Sequence, residues 1–552
     1  MIRGSQQLPW VQLHNAKPTT LFGSTGSELA AEWVQARLKE CHKLHPECRS
    51  IESSRSSMKP LLPKRIIEIV DDRRVRLKEP VEERADYVCL SHCWGDAKAL
   101  VTETATLHQY LDEIVWDELP KTFRDAITFL RYLEIRYIWI DSLCIIQDSE
   151  EDWLEQSGSM ADIYSFACIT VAATRASTSS AGLFTNSHEV AISYGNVQLL
   201  ICEQPKHASP GNVTDKAFPL LTRGWVVQEM LLSPRVLHFC NGELVYECMR
   251  GAVCSCCTTE KLSSTDYGRK DPVWSIDTKR VSRLPKLWSF LRLNHAATDD
   301  FDQNKCPPEE QHFGEWRRML MRYSDLKLTF EKDRFPAISG LARCFSNKFK
   351  ATYAAGLWVE NLRNDLLWVM PHRVKPERRR LDAGAPSWSW ASCGEGTTSY
   401  MCPLGSHLYF TVVAVDCVPL SEHDPFGQLK SATLTLQGPL IPLILKRSKK
   451  GYDAQFDGQW GIEVEPDLNL APILADANEQ GLFFGLPVVR SEMEIRGLVL
   501  HRQNDGPYER VGLWFCPSQE GYYKQFDPLE WWRAEALHEI FGNMKLETVV
   551  IV

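Results

Sequence analysis

Between Tyr87 and Thr174 short apolar runs alternate with longer segments of helical periodicity, and no other feature restricts the fold as much. "YVCLS" (87–91), "RYIWID" (136–141) and "CITVAAT" (168–174) are continuous apolar runs of strand length, as expected for strands buried on both faces of a sheet. Between the first two lies "PKTFRDAITFLRYLEI", which opens on Pro120 and sets Phe123, Ile127, Leu130 and Leu133 on one helical face. Between the second and third lies "EEDWLEQSGSMADIYSFA", with Trp153, Met160, Ile163 and Tyr164 as its apolar positions. Strands alternating with helices predict a parallel sheet with right-handed crossovers. Ligands of such sheets sit beyond the carboxyl ends of the strands. Ser91, His92, Asp141 and Thr174 all fall at strand ends, so they are expected on one edge.

The flanks are organised differently. Residues 1–60 read as a helical segment ("SELAAEWVQARLKECHKL", with Leu29, Trp33, Ala36 and Leu38 in register) followed by the polar linker "SIESSRSSMKP". The α/β domain is expected over 61–260, opened by a hairpin of "KRIIEIV" and "RRVRL" turning at Asp71-Asp72. Residues 261–400 read as mixed and mainly helical. From 401 to 552 strand-like alternation dominates ("LYFTVVAVDCVPL", "SATLTLQGPLIPLIL", "ETVVIV"), which predicts a β-rich C-terminal region. In "PSWSWAS", Trp388 and Trp390 alternate, so as a strand they would share one face and pack the C-terminal region onto the α/β domain.

Composition removes several classes of function. A net charge of −9 without a basic stripe argues against nucleic-acid binding. No apolar run reaches the roughly 18 residues of a membrane span, and "MIRGSQQLPWVQLHN" lacks the apolar stretch of a secretory signal. The 18 cysteines are spread along 552 residues, many in apolar contexts such as Cys144 and Cys168. That is how reduced thiols are used, as small hydrophobes rather than as a disulfide framework. A cytoplasmic protein is expected.

Several clusters carry candidate chemistry beside a structural alternative. Ser91, His92 and Cys93 are sequence neighbours, and neighbours in a strand point to opposite faces, so adjacency makes no nucleophile–base pair. The structural alternative is a strand end with Trp94-Gly95 as a packed turn. Cys41, His45 and Cys48 fit a C-x3-H-x2-C spacing of zinc-ligand types, with no fourth ligand evident nearby. Cys240, Cys248, Cys254, Cys256 and Cys257 form a second group whose spacing matches no standard finger. For both groups the competing reading is buried free thiols, and no metal is expected. "FGSTGS" lacks the Lys-Ser/Thr ending of a phosphate loop and reads as a plain loop. In "RGWVVQEML", Trp225 and Glu229 are four apart and stack on a helix face. A carboxylate held against an indole can be poised for work at an oxocarbenium-like centre. Alternatively, Glu229 simply pairs with Arg223 or Arg235.

These segments, in order ("YVCLSHCWG", then 122–174, "GLF", and "RGWVVQEMLLSPRVLHF"), resemble the fungal heterokaryon-incompatibility (HET) domain. The resemblance extends upstream through "LPKRIIEI" and downstream through "AISGLA", "AGLW" and "PSWSWAS"; it departs at Cys254-Ser255-Cys256, where an acidic residue would be expected between the cysteines. The family acts in non-self recognition and regulated cell death, and is thought to be a distant relative of TIR domains. The resemblance therefore implies a TIR- or flavodoxin-like α/β fold, a parallel sheet flanked by helices. "GWVVQEM" is similar to the TIR Trp-Cys-x-x-Glu-Leu box, with valine in place of cysteine. In enzymatic TIR domains that glutamate supports cleavage of the nicotinamide–ribose bond of NAD. By that analogy Glu229 is the catalytic candidate, with Ser91, His92, Trp94, Asp141, Gln147 and Trp225 around the nucleotide. NAD is then a substrate and no cofactor is required. The alternative is a signalling module that causes death through self-association or an incompatibility partner, without turnover.

Overall fold

Every residue of Tyr87–Ser91 is buried in a strand, and the sheet grows outward from it on both sides. The computed structural model describes residues 22–48, 59–95, 100–186, 189–194, 197–202, 217–255, 311–370, 380–381, 384–393, 399–400, 405–448, 452–475, 482–491, 494–502, 506–517 and 534–552. The chain divides into two compact units, Met1–His295 and Ala296–Val552.

In the first unit an eight-stranded sheet runs in the order β10-β9-β8-β5-β3-β4-β1-β2. Its strands are β1 (Ile66–Ile69), β2 (Val75–Lys78), β3 (Tyr87–Ser91), β4 (Tyr137–Ile140), β5 (Ile169–Ala172), β8 (Arg235–Phe239), β9 (Leu244–Cys248) and β10 (Gly251–Cys254). β6 (Glu189–Tyr194) and β7 (Val197–Cys202) form a separate antiparallel hairpin. The centre is parallel: β3 pairs with β4 on one side and β5 on the other, and β5 pairs with β8. The three apolar runs are therefore adjacent parallel strands, as their composition predicts. Both margins are antiparallel, β1 and β2 beyond β4, and β9 and β10 beyond β8. The sheet is thus mixed, which corrects the expectation of a parallel sheet throughout. For β2, β9 and β10 the physical reason lies in connection length, because tight turns such as Val70–Arg74 permit only antiparallel neighbours.

Among the described residues six helices accompany the sheet: α1 (Glu28–Leu44), α2 (Leu107–Asp112), α3 (Lys121–Tyr132), the single turn α4 (Asp141–Cys144), α5 (Glu150–Phe166) and α6 (Val226–Leu232). α3 starts behind Pro120 and buries Phe123, Ile127 and Leu130. Ser149 caps α5 by accepting from the Asp152 amide. "FGSTGS" ends in the α1 cap, where the Ser27 hydroxyl accepts from the Ala30 amide at 3.2 Å. Arg65, almost fully buried, donates to the Cys144 carbonyl at 2.8 Å and to Asp152. Burial works against charge on Asp152, yet the Arg65 guanidinium and the Ile146 amide hold its carboxyl below the usual range. This pair pins the loop after β4, where Asp141 sits.

Among the described residues of the second unit, α7 (Gln311–Tyr323) and α8 (Pro336–Phe349) come first, followed by four two-residue strands: β11 (Tyr353–Ala354), β12 (Leu357–Trp358), β13 (Trp368–Val369) and β14 (Ser399–Tyr400). The β-rich region follows with β15 (Gly405–Leu408), β16 (Thr411–Pro419), β17 (Leu429–Pro439), β18 (Ile441–Arg447), β19 (Tyr452–Phe456), β20 (Gln459–Pro466), β21 (Phe483–Ser491), β22 (Glu494–Arg502), β23 (Tyr508–Pro517) and β24 (Leu546–Ile551). Antiparallel pairings run β18-β19-β20-β23-β22-β21 and back to β18, closing a barrel. Its core gathers Ile441, Ile462, Phe483, Val499 and Trp514, with Leu537 and Phe541 from the helix Ala534–Asn543.

"PSWSWAS" is a short 3-10 turn, capped by the Ser389 hydroxyl, where a strand was expected. Both indoles are fully buried all the same. Trp390 stands edge-on to Tyr323 and Phe335, and the Ser387 amide donates to the Val552 carbonyl at 2.9 Å. These contacts join α7 and α8 to the barrel segment within the second unit.

Candidate functional site

The carboxyl ends of β3 and β4 bring five of the sequence candidates together. Ser91 closes β3, and His92 follows it. Asp141 opens α4 directly after β4, with its Oδ1 accepting from the Ser142 amide at 2.8 Å. Trp94 Nε1 donates to Asp141 Oδ2 at 2.9 Å, and His92 Nδ1 lies 3.6 Å from Asp141 Oδ1. The turn that swings Trp94 over requires glycine: Gly95 has φ +80°, and a Cβ there would lie 2.6 Å from Thr178 Cγ2. Gln147 reaches back into the same loop, its Nε2 donating to the Asp141 and Ile145 carbonyls at 3.2 Å each.

Glu229 enters from α6 and is 5% exposed. The hydroxyls of Ser91 and Tyr164 lie beside its carboxylate, with Ser91 outside ordinary hydrogen-bonding geometry, and Arg223 supplies the nearest cation. Burial raises the Glu229 carboxyl to about 7, opposed by Arg223 and the two hydroxyls and assisted by the Asp141 charge. Arg223 itself donates to the His92 carbonyl. Burial likewise pushes the Tyr164 phenol well above its ordinary value. His92, buried against the edge of Phe123 with ring centroids 4.9 Å apart, is lowered to about 4 chiefly by burial and also by Arg223, although Asp141 pulls the other way. It is a neutral imidazole at physiological pH.

Trp225 sits at the N-cap of α6, where its carbonyl accepts from the Glu229 amide at 3.2 Å. Its indole stands edge-on to Trp153, 6.4 Å between centroids. The hydroxyls and charges around Glu229 come from β3, α4, α5 and the segment before α6, a setting the Trp225-to-Glu229 spacing alone did not reveal. Arg223 was legible only as a possible ion-pair partner, and Tyr164 only as an apolar position of α5. A polar hydroxyl at the inner end of an otherwise apolar helix face was the available signal.

Three groups here carry buried polar atoms without a hydrogen-bond partner: Ser91 Oγ, both ring nitrogens of His92, and Ser142 Oγ. Each such orphan costs about 1–3 kcal/mol, so their concentration at one sheet edge calls for a functional explanation. Thr174, at the end of β5, belongs to a separate polar chain, its hydroxyl 2.9 Å from His238 Nδ1, with His238 Nε2 3.3 Å from Glu247.

The cysteine groups of the sequence are redistributed. Cys240 and Cys254 are buried in the apolar core below β8–β10. Cys248 instead joins Cys41, His45 and Cys48, with one ligating atom from each within 4.8 Å of the others. Cys256 and Cys257 lie outside the described residues.

An α/β domain whose parallel strands end in a neutral histidine and unspent hydroxyls, with a buried helix carboxylate beside them, is the class that fold and site define. Residues 87–229 match the family model described as heterokaryon incompatibility protein (HET), so the chain carries a HET domain from β3 to Glu229. No curated protein and no solved structure matches the chain. Among the described residues, no helix is long and apolar enough to cross a membrane.

Proposed function

We propose that this protein acts in heterokaryon incompatibility by hydrolysing NAD at the Glu229 edge of its HET domain, a TIR-like use of the fold. The observation that carries this reading is the Glu229 carboxyl, 5% exposed and beside the Ser91 hydroxyl, at a sheet edge where Ser91 Oγ and both His92 ring nitrogens have no hydrogen-bond partner.

In the reaction the bond between ribose C1′ and the nicotinamide nitrogen breaks, its electron pair leaves with nicotinamide, and positive charge develops on the ribose. Ionised Glu229 stabilises that charge, and a preorganised electrostatic contact of this kind is worth about 10²–10³ in rate. His92 stays neutral, so it adds no competing positive charge, while its free nitrogens and Ser91 Oγ can bond the ribose hydroxyls. Trp94, oriented by Asp141, offers a flat face for a ring. Water then adds to C1′ and releases its proton. Arg223 keeps a fraction of Glu229 ionised near neutral pH.

Release of nicotinamide from NAD by purified protein, followed by chromatography, tests the reading. Wild type should turn over with a rate rising through about pH 7 as Glu229 ionises, and Glu229→Gln should lose at least about 100-fold. Wild-type protein that kills host cells without lowering NAD sinks the reading and leaves self-association as the route to death.

A further inference from the structure

We propose that Cys41, His45, Cys48 and Cys248 bind one zinc ion as a structural Cys3His centre. The four come from three elements: Cys41 from the last turn of α1 and His45 from its C-cap, Cys48 from the 3-10 turn Pro46–Cys48, and Cys248 from the end of β9. The C-x3-H-x2-C spacing supplies three ligands from one short stretch, and the fold brings the fourth from 200 residues further along.

The geometry is that of a zinc site. One ligating atom from each residue lies within 4.8 Å of the other three, and Cys248 Sγ is 3.5 Å from His45 Nδ1. With Zn–S near 2.3 Å and Zn–N near 2.0–2.1 Å, the edges of a tetrahedron are about 3.5–3.8 Å. All three thiols are recorded as free, and all three are buried.

The surroundings fit as well. Zinc with three thiolates and a neutral imidazole carries a net charge of −1, which a buried site must balance. Arg235 is 3% exposed, and its Nε donates to Cys41 Sγ at 3.3 Å. Its other donors go to the Cys168 carbonyl at 3.1 Å and the Cys48 carbonyl at 2.9 Å. Among the described residues no carboxylate pairs with Arg235, so the cluster is its natural counter-charge. The Arg250 amide adds a donor to Cys248 Sγ at 3.4 Å. Donors aimed at ligand sulfurs are how outer contacts orient and stabilise thiolate metal sites. α1 and β9 lie on either side of the HET match at 87–229, so the ion would staple the N-terminal helix to the far margin of the sheet.

Zinc content of the full chain, purified without chelator and measured by mass spectrometry of the metal, should be one ion per chain. It should fall to none in Cys248→Ser, while His45→Cys, which keeps four ligands, retains it. Cobalt substituted into wild type should give the intense visible bands of tetrahedral thiolate coordination. X-ray absorption of the zinc protein should give a first shell of three sulfurs and one nitrogen, a readout that stands even where a variant fails to fold. Folded wild type that carries no zinc and whose melting temperature ignores added zinc overturns the proposal. So does a first shell of any other composition, or a disulfide among the three thiols. None of these readouts depends on NAD.

Discussion

Glu229 and His92 shift in opposite directions for the same reason, because burial disfavours the charged form of each. For Glu229 the folded value, about 7, lies above the ordinary 4.5. The folded state therefore holds the proton more tightly, and stability present at low pH is lost as pH rises from about 4.5 through 7. His92 is the converse: its value falls from 6.5 to about 4, so it destabilises the fold as pH drops through that window. Glu229→Gln removes the first effect alone. The variant should match wild type near pH 4.5 and exceed it by on the order of 3 kcal/mol above pH 7, measured by urea denaturation across that range. A difference independent of pH would show that the carboxyl is not held in a dry environment. The chain itself made Glu229, His92 and Asp141 legible as candidates, because strand ends and a Trp-to-Glu spacing are local signals. Burial and the approach of Arg223 and Tyr164 are tertiary facts, and these alone set the pKa values.

Elements were most readable where every residue of a strand is buried. β3, β4 and β5 stand in the sequence as unbroken apolar runs because the residues on both of their faces are buried. "PSWSWAS" was readable as buried yet not as a turn, because alternating indoles fit a strand and a 3-10 turn equally well when only one face is counted. What separates the two is the partner: the Trp390 and Trp316 indole N–H groups both donate to the Gly356 carbonyl at 3.3 Å. Gly356 can take this close approach because it lacks a Cβ, which would lie 2.4 Å from Trp390 Nε1. Trp390→Ala should cost about 3–5 kcal/mol, as loss of a buried aromatic does. Trp390→Phe should cost less, since it keeps the ring and loses only the bond. Equal costs in thermal denaturation would mean that packing contributes little and the hydrogen bond dominates.

At the scale of the molecule, the matched span and the folded sheet have different limits. Residues 87–229 hold β3, β4 and β5, but β1 covers the free side of β4 and β8 the free side of β5. A fragment cut to 87–229 would expose two unpaired backbone edges, which recruit other chains. It should aggregate on expression, whereas residues 22–255, which keep all eight strands, should elute as a discrete species in gel filtration. A soluble, monomeric 87–229 fragment would refute the requirement for the flanks. The barrel of the second unit was visible in the sequence only as alternation. Closure depends on β21 meeting both β18 and β22, and no local pattern records which strands will meet. The Asp457-Gly458 turn between β19 and β20 is different, since φ values of 48° and 78° are what an Asp-Gly pair favours in a two-residue hairpin.

A ring of strands has a property that an open sheet lacks: its pairings share one total offset. Sliding one strand by a single residue would have to be made good all the way around the ring. It would also turn that strand's inward residues to the outside. A codon inserted within β22 can therefore be absorbed only as a further bulge, since that strand is fastened along both sides to β21 and β23. The same codon placed at the exposed Glu422-His423 pair after β16, outside the ring, lengthens only a loop. The gene for such a unit is thus forgiving of substitutions that keep volume, yet it tolerates changes in length mainly at its turns.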